Sequence, residues 1–314
     1  MGGIQFIVLR VVQALLGTLS CWLLYRIARH GWGEEAGRWA LLVSATYLPF
    51  LFYSPQVLNS TLYLLLVVSA LAATGWAEKG PVARAFVPGL LLGASALTAG
   101  TILGAAPALA LWLAWRRRSL LAPLFMALAC VAVLSPWVIR NWRVQHAPVL
   151  IDTNSGGVLY LGNVNYGMWV DPDAPDALDE VKRTTDYERL DEAGKNKLLT
   201  SLATTWMKEH PGDFLRIWAL KFLHGWSPVP SRKSWPLVAV SLATYGLVLV
   251  LGLWGAWKAW RERSPEGLLL IGYLVLISAT HAVFVFAQRH RVPLLDPALI
   301  VLAASAATTV RRKP

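Results

Sequence analysis

WPLVAVSLATYGLVLVLGLWGAWKAWRER (235–263) is the stretch whose reading decides the fold. No charged residue stands between Trp235 and Trp257, and Lys258, Arg261 and Arg263 then close the run together. As a helix rising about 1.5 Å per residue, such a run matches a hydrocarbon core of ~30 Å. A second apolar run, Glu266 to Phe286, follows at once. Helices satisfy their own backbone hydrogen bonds and so cross lipid singly, whereas a β-barrel would need short alternating segments, which the sequence lacks. Moving outward, 56% of the 314 residues are hydrophobic, above the roughly 45–50% of soluble domains. The expected class is therefore an all-α polytopic membrane protein.

Charge carries orientation. The formal net charge of +11 is not spread as a nucleic-acid footprint. Clusters at Arg26/Arg29/Arg38, Lys79/Arg84, Arg116/Arg117/Arg118, Lys258/Arg261/Arg263 and Arg311/Arg312/Lys313 each open or close an apolar run, as cytoplasmic loops do. Placing them all inside gives nine crossings: 5–25, 39–55, 57–77, a tight hairpin within 85–115 turning near Thr98–Thr101, 119–139, 236–257, 266–286 and 293–310. The N-terminus is then outside and the C-terminus cytoplasmic. The expected domains are an N-terminal bundle of about six helices (1–140), an acidic extracytoplasmic domain (141–234) and a C-terminal three-helix segment (235–314). Residues 213–226 (DFLRIWALKFLHGW) fit an amphipathic helix on the membrane surface, with Arg216, Lys221 and His224 between the apolar positions. Pro136 and the polar run after it should end the fifth-run helix near Arg140. Arg10 interrupts the first apolar run, so the opening residues do not read as a cleavable signal.

Three constellations carry candidate chemistry. Ser135-Pro136-Trp137-Val138-Ile139-Arg140-Asn141-Trp142-Arg143 sets Arg140 near the bilayer boundary, either as a snorkelling anchor or as a partner for an anionic lipid headgroup. Gln288-Arg289-His290-Arg291-Val292-Pro293 is a cationic turn on the expected outer side, against the usual sorting of charge; bidentate phosphate binding by Arg289 and Arg291 would explain it. The stretch from Asp152 to Gly167 (DTNSGGVLYLGNVNYG) suits a loop of adaptable hydrogen bonds, as a sugar site needs, and equally suits ordinary tight turns. His281, inside an apolar run, is either a buried structural hydrogen-bonding group or part of a site. Cys21 and Cys130 lie in apolar runs and read as packing residues. No metal-ligand spacing, phosphate loop or dinucleotide fingerprint is present, so no cofactor is expected.

With those motifs in order, the chain resembles the polytopic GT-C glycosyltransferases that use polyprenyl-phosphate sugars, the protein O-mannosyltransferase-like and aminoarabinose-transferase-like enzymes. The resemblance rests on PWVIRNWR (136–143), TNSGGVLYLGN (153–163), HPGDFLRIWALKFLHGWSP (210–228) and RHRVP (289–293), and on 10–42 as an early helix pair. It implies a bacterial inner-membrane protein that passes a sugar from a lipid phosphate to an extracytoplasmic acceptor. It further implies that Arg289 and Arg291 contact the donor phosphate with Arg140 in support, and that Asn141, Asn154 and Asn163, with His281, organise the site. The resemblance would also place one more helix and a catalytic acidic loop before these elements, so the chain reads either as a shortened form or as one completed by a protein partner that supplies them. Asn59-Ser60-Thr61 stands where the family has Thr-Glu-Pro, and Thr98-Ala99-Gly100 where it has Thr-Arg-Pro. Asp152 is the catalytic candidate among the remaining carboxylates, with Asp296 behind it. A non-catalytic membrane scaffold derived from the same fold is the alternative.

Overall fold

The structure, a computed structural model, describes residues 2–56, 58–146, 149–164, 177–229, 234–285 and 288–308. In chain order its helices are α1 (Gly2–Trp32), α2 (Glu34–Thr46), α3 (Leu48–Tyr53), α4 (Ser60–Ala77), α5 (Phe86–Thr98), α6 (Ala106–Arg117), α7 (Leu121–Gln145) and α8 (Ser155–Asn163), then α9 (Ala177–Thr184), α10 (Glu192–Glu209), α11 (Pro211–Gly225), α12 (Trp235–Ser241), α13 (Leu247–Arg261), α14 (Pro265–Val283), α15 (Gln288–Leu294) and α16 (Asp296–Ala306). No strand occurs among the described residues.

Five helices among them are long and apolar enough to cross a membrane: Phe6–Trp32, Ser60–Ala77, Leu121–Gln145, Trp235–Arg261 and Pro265–Val283. They coincide with five of the expected crossings and make this a multi-pass membrane protein. The other four expected segments are shorter or broken. Run 39–55 divides at Tyr47, whose backbone is extended (φ −70°, ψ 106°) ahead of Pro49 in the first turn of α3. The 85–115 hairpin forms as two helices around a 3-10 turn, Gly100–Ala105, after an extended Ala99. At 13 residues, α5 spans only ~20 Å. Run 293–310 is represented by α16, of 11 residues. Pro136, expected to close α7, lies inside it, and the helix continues to Gln145. One missing amide can kink a helix without ending it.

The chain forms two compact units: Met1–Val133 with Ser227–Ile277 and Gln288–Pro314, and Leu134–Trp226 with Ser278–Ala287. In the first, α1 packs on α2 and α4, and α13 packs on α16. Gly33 turns the chain between α1 and α2 at φ 93°, a conformation open to a residue without Cβ. Every residue of α16 from Asp296 to Ser305 is buried, so this short helix is wrapped by its neighbours rather than facing lipid. α12 and α13 are joined through a π-helical turn, Leu242–Gly246.

The second unit has its own small core of Tyr160, Val181, Leu199 and Ala203, where α8, α9 and α10 meet. The expected loop at 153–163 is mostly helix. Gly156 and Gly157 are poor helix formers, but the Asn196 side chain on α10 accepts from the Gly156 amide at 2.6 Å and from Ser155 Oγ at 3.2 Å. Tertiary packing thus outweighs local propensity. Asp191 caps α10 through the Gly194 amide, 2.8 Å away. The Asn165–Gly167 end of the expected sugar loop lies outside the described residues.

Candidate functional site

In the first unit the interruptions in the helices carry the polar groups. The break at Tyr47 sends its phenol to Asp296, donating to Oδ2 at 2.7 Å. Asp296 opens α16, where a carboxylate is favoured by the helix dipole, and it is wholly buried. Arg291 on α15 brings Nε within 3.3 Å of Asp296 Oδ1, an ion-pair contact outside hydrogen-bond geometry. Its guanidinium carbon sits over the Tyr245 ring, 3.4 Å from the ring centre, and Nη1 donates to the Ser227 carbonyl at 3.4 Å. Tyr245 belongs to the π-helical turn, whose altered spacing carries the ring to Arg291. Arg291 is only 5% exposed, so water contributes little to holding its charge; a carboxylate and an aromatic face do.

Beside this group is a cavity of about 440 Å³, a volume within the range of small-molecule sites. Val292, next in the chain to Arg291, lines it, as does Tyr53, which interacts electrostatically with Arg291. The remaining wall is mainly apolar, from α1, α2 and α3, with Ser54, Ser60 and Thr61 as its polar rim. Asn59 and Thr98 meet at this end of α4: Asn59 Nδ2 donates to the Thr98 carbonyl at 3.1 Å, and the hydroxyls of Tyr63 and Thr101 are 3.4 Å apart. Among the described residues no carboxylate lines the cavity.

The second unit gathers most of the other sequence candidates. Arg140 stacks over Trp137 at 5.0 Å and donates to Asn141 Oδ1 at 3.1 Å. Asn141 is buried and donates to the Val149 carbonyl at 3.3 Å, pinning the chain after α7. Asp152 is exposed and accepts from the Asn154 amide at 2.9 Å, a local Asx turn. Asn163, at the end of α8, donates to the carbonyls of Leu159 (2.8 Å) and Val283 (2.9 Å). His281 is buried at 3% exposure. Arg289 lies on α15, and its side chain is outside the described residues.

Sequence reading missed Lys221. It was expected on the polar side of a surface helix, yet it is 4% exposed. Its Nζ sits among four oxygens: Gly162 O at 3.0 Å, Asn163 Oδ1 at 3.0 Å, Val283 O at 3.3 Å and Phe284 O at 2.9 Å. Two of these are carbonyls at the end of α14, which have no helical partner and favour a cation. Trp218 Nε1 adds a bond to the Ala279 carbonyl at 3.0 Å. Burial pulls the Lys221 ammonium down to about 7. Nothing in the local sequence separates Lys221 from Arg216, since its acceptors come from α8 and the end of α14.

One further grouping has no spacing signature. His30, Glu78 and Glu266 bring one ligand atom each within 4.8 Å of one another. Glu78 is already engaged by Arg116, so the group is tied into an ion-pair network.

The family model for dolichyl-phosphate-mannose-protein mannosyltransferase matches residues 1–140, the segment from α1 into α7. No curated protein and no solved structure matches the chain. The similarity over 1–140 is to a glycosyltransferase family, and it supports a transferase reading of a membrane protein.

Proposed function

We propose that this chain is a membrane glycosyltransferase of the GT-C type that takes its sugar from a polyprenyl-phosphate donor in a bacterial inner membrane. The observation that carries this is Arg291: a buried guanidinium whose chain neighbour Val292 lines an apolar cavity, within a chain whose first 140 residues match a mannosyltransferase family. An isoprenoid tail needs an apolar slot and its phosphate needs a fixed cation. The cavity wall offers the first and Arg291 the second. Asp296 and Tyr47 act here as positioning residues, holding the guanidinium in register while no phosphate is bound. Arg289, on the same helix, is a further candidate phosphate contact.

In the reaction the acceptor hydroxyl attacks the anomeric carbon, and the bond from that carbon to the phosphate oxygen breaks. Polyprenyl phosphate leaves with the electron pair, and the hydroxyl proton passes to a base. A cation at the departing phosphate lowers the barrier by stabilising the charge that develops there. Asp152, an exposed carboxylate of the second unit, is the base candidate that the sequence resemblance offers. The basic clusters support a cytoplasmic C-terminus and an outer position for the acidic 152–213 region.

That no carboxylate among the described residues lines the cavity favours one alternative: a subunit that holds the lipid phosphate without turning it over, as part of a complex. Incubating the purified protein with a radiolabelled polyprenyl-phosphate sugar and an acceptor mixture separates the two. Release of polyprenyl phosphate that depends on acceptor and is lost in Arg291→Ala supports transfer. Donor bound stoichiometrically without release supports the scaffold.

A further inference from the structure

Farther along α4, from Ser69 to Trp76, a second and larger cleft opens in the first unit, with Trp22 lining both it and the first cavity. Its volume is about 1070 Å³, and it lies among the last turns of α1 and α4, the turn before α5, and the start of α14. Three cations face it. Arg26 stands 5.1 Å from the centre of the Trp22 ring, and Arg84 stands 4.5 Å from that of Trp76. Lys79 has no ion-pair partner among the described residues. Arg29 also lines the cleft, but Glu34 holds it at 2.9 Å. Glu266 is the only carboxylate among the lining residues, so the cleft carries surplus positive charge.

The aromatic partners are informative. Trp22 and Trp76 are 45% and 50% exposed, and each rises from an apolar helix to meet its arginine. An indole with a guanidinium stacked on it marks headgroup depth, where one face meets acyl chain and the other meets phosphate. Below the cations the lining turns apolar, through Leu71 and Leu269. A free anion needs only the cations. A molecule with a charged head and a hydrocarbon body uses both zones.

We propose that this cleft binds the phosphodiester headgroup of an anionic glycerophospholipid, with Arg26, Lys79 and Arg84 on the phosphate and the acyl chains against the apolar wall. Its cations are not among the residues lining the first cavity, although Trp22 lines both, and the proposal does not depend on sugar transfer.

Native mass spectrometry of the purified full chain, titrated with phosphatidylglycerol or phosphatidylcholine, tests it. Phosphatidylglycerol should form a one-to-one adduct at concentrations at least tenfold lower than phosphatidylcholine. The adduct should be lost in Arg26→Gln/Arg84→Gln, persist in the charge-matched Arg261→Gln/Arg263→Gln, and survive excess inorganic phosphate. Equal affinity for the two lipids would overturn the proposal. So would equal loss in both double variants, which would mean a diffuse surface charge effect. Displacement by inorganic phosphate would identify a free-anion site and overturn the lipid assignment. If Arg26→Gln/Arg84→Gln does not fold, the two-lipid and phosphate comparisons on the unaltered chain still decide the matter.

Discussion

At Arg291 the guanidinium exchanges water for one carboxylate, one carbonyl and an aromatic face, and removing the carboxylate alone leaves the charge without its counter-ion. Asp296→Ala should therefore cost about 3–5 kcal/mol, while Arg291→Met/Asp296→Leu, which removes both charges at similar volume, should recover most of that. Thermal unfolding in detergent reports the difference; equal losses would show that the ion pair does not govern stability here. Lys221 gives a second test. Its ordinary value of 10.5 falls to about 7 in the folded chain. Between those values the unfolded chain binds more protons, so stability rises with pH across the window and is flat outside it. Measured against Lys221→Met, the unaltered protein should gain stability from pH 7 to pH 10; parallel curves would show an unshifted lysine. Of these residues Arg291 stood out in the sequence, because two arginines on the expected outer side defy charge sorting, but its burial against Asp296 and Tyr245 did not. Tyr47 and Tyr245 were not, because what brings them to Arg291 is a helix break and a π turn, neither of which alters hydrophobic periodicity.

Among elements, the contact between α13 and α16 shows how a short helix becomes buried without long apolar length of its own. Gly252 lets the two backbones approach: a Cβ built there would lie 2.9 Å from Leu299 Cδ2 and 3.0 Å from the Leu299 carbonyl oxygen. Small residues at such crossings substitute packing for the hydrophobic drive that lipid removes. Gly252→Ala should cost about 1–3 kcal/mol through overpacking. Gly75→Ala in α4, where a Cβ meets nothing within 4 Å, should be neutral or stabilise by up to ~1 kcal/mol. The five long spans were legible because their apolar runs exceed the bilayer requirement. The ends of α7 and the two-part form of run 39–55 were not, since a proline within a helix and a proline after a break look alike in sequence. The helix at Ser155–Asn163 was hidden for a different reason, because the Asn196 side chain that caps it lies on α10.

For the molecule as a whole, charge sorting makes a topological statement that accessibility can check. Single cysteines placed at Lys79 and Arg118 in a chain free of native cysteines should label only from the cytoplasmic side, and one at Glu188 only from outside. Reversed labelling would invert the orientation and remove the extracytoplasmic placement of the acidic region. The membrane class followed directly from composition and run length. The division into two compact units did not, because the second unit recruits Ser278–Ala287 from beyond α11, and only folding brings that segment to Lys221 and Asn163.

The central claim, that Arg291 holds a lipid phosphate beside an apolar cavity, is most directly tested by binding a polyprenyl-phosphate analogue to the purified protein in nanodiscs, alongside Arg291→Lys and Arg291→Ala of matched helical content. The unaltered chain should bind saturably, Arg291→Lys should lose affinity through its single-point charge, and Arg291→Ala should bind at least about tenfold more weakly, a difference of ~1.4 kcal/mol. Equal binding by all three proteins would contradict the claim.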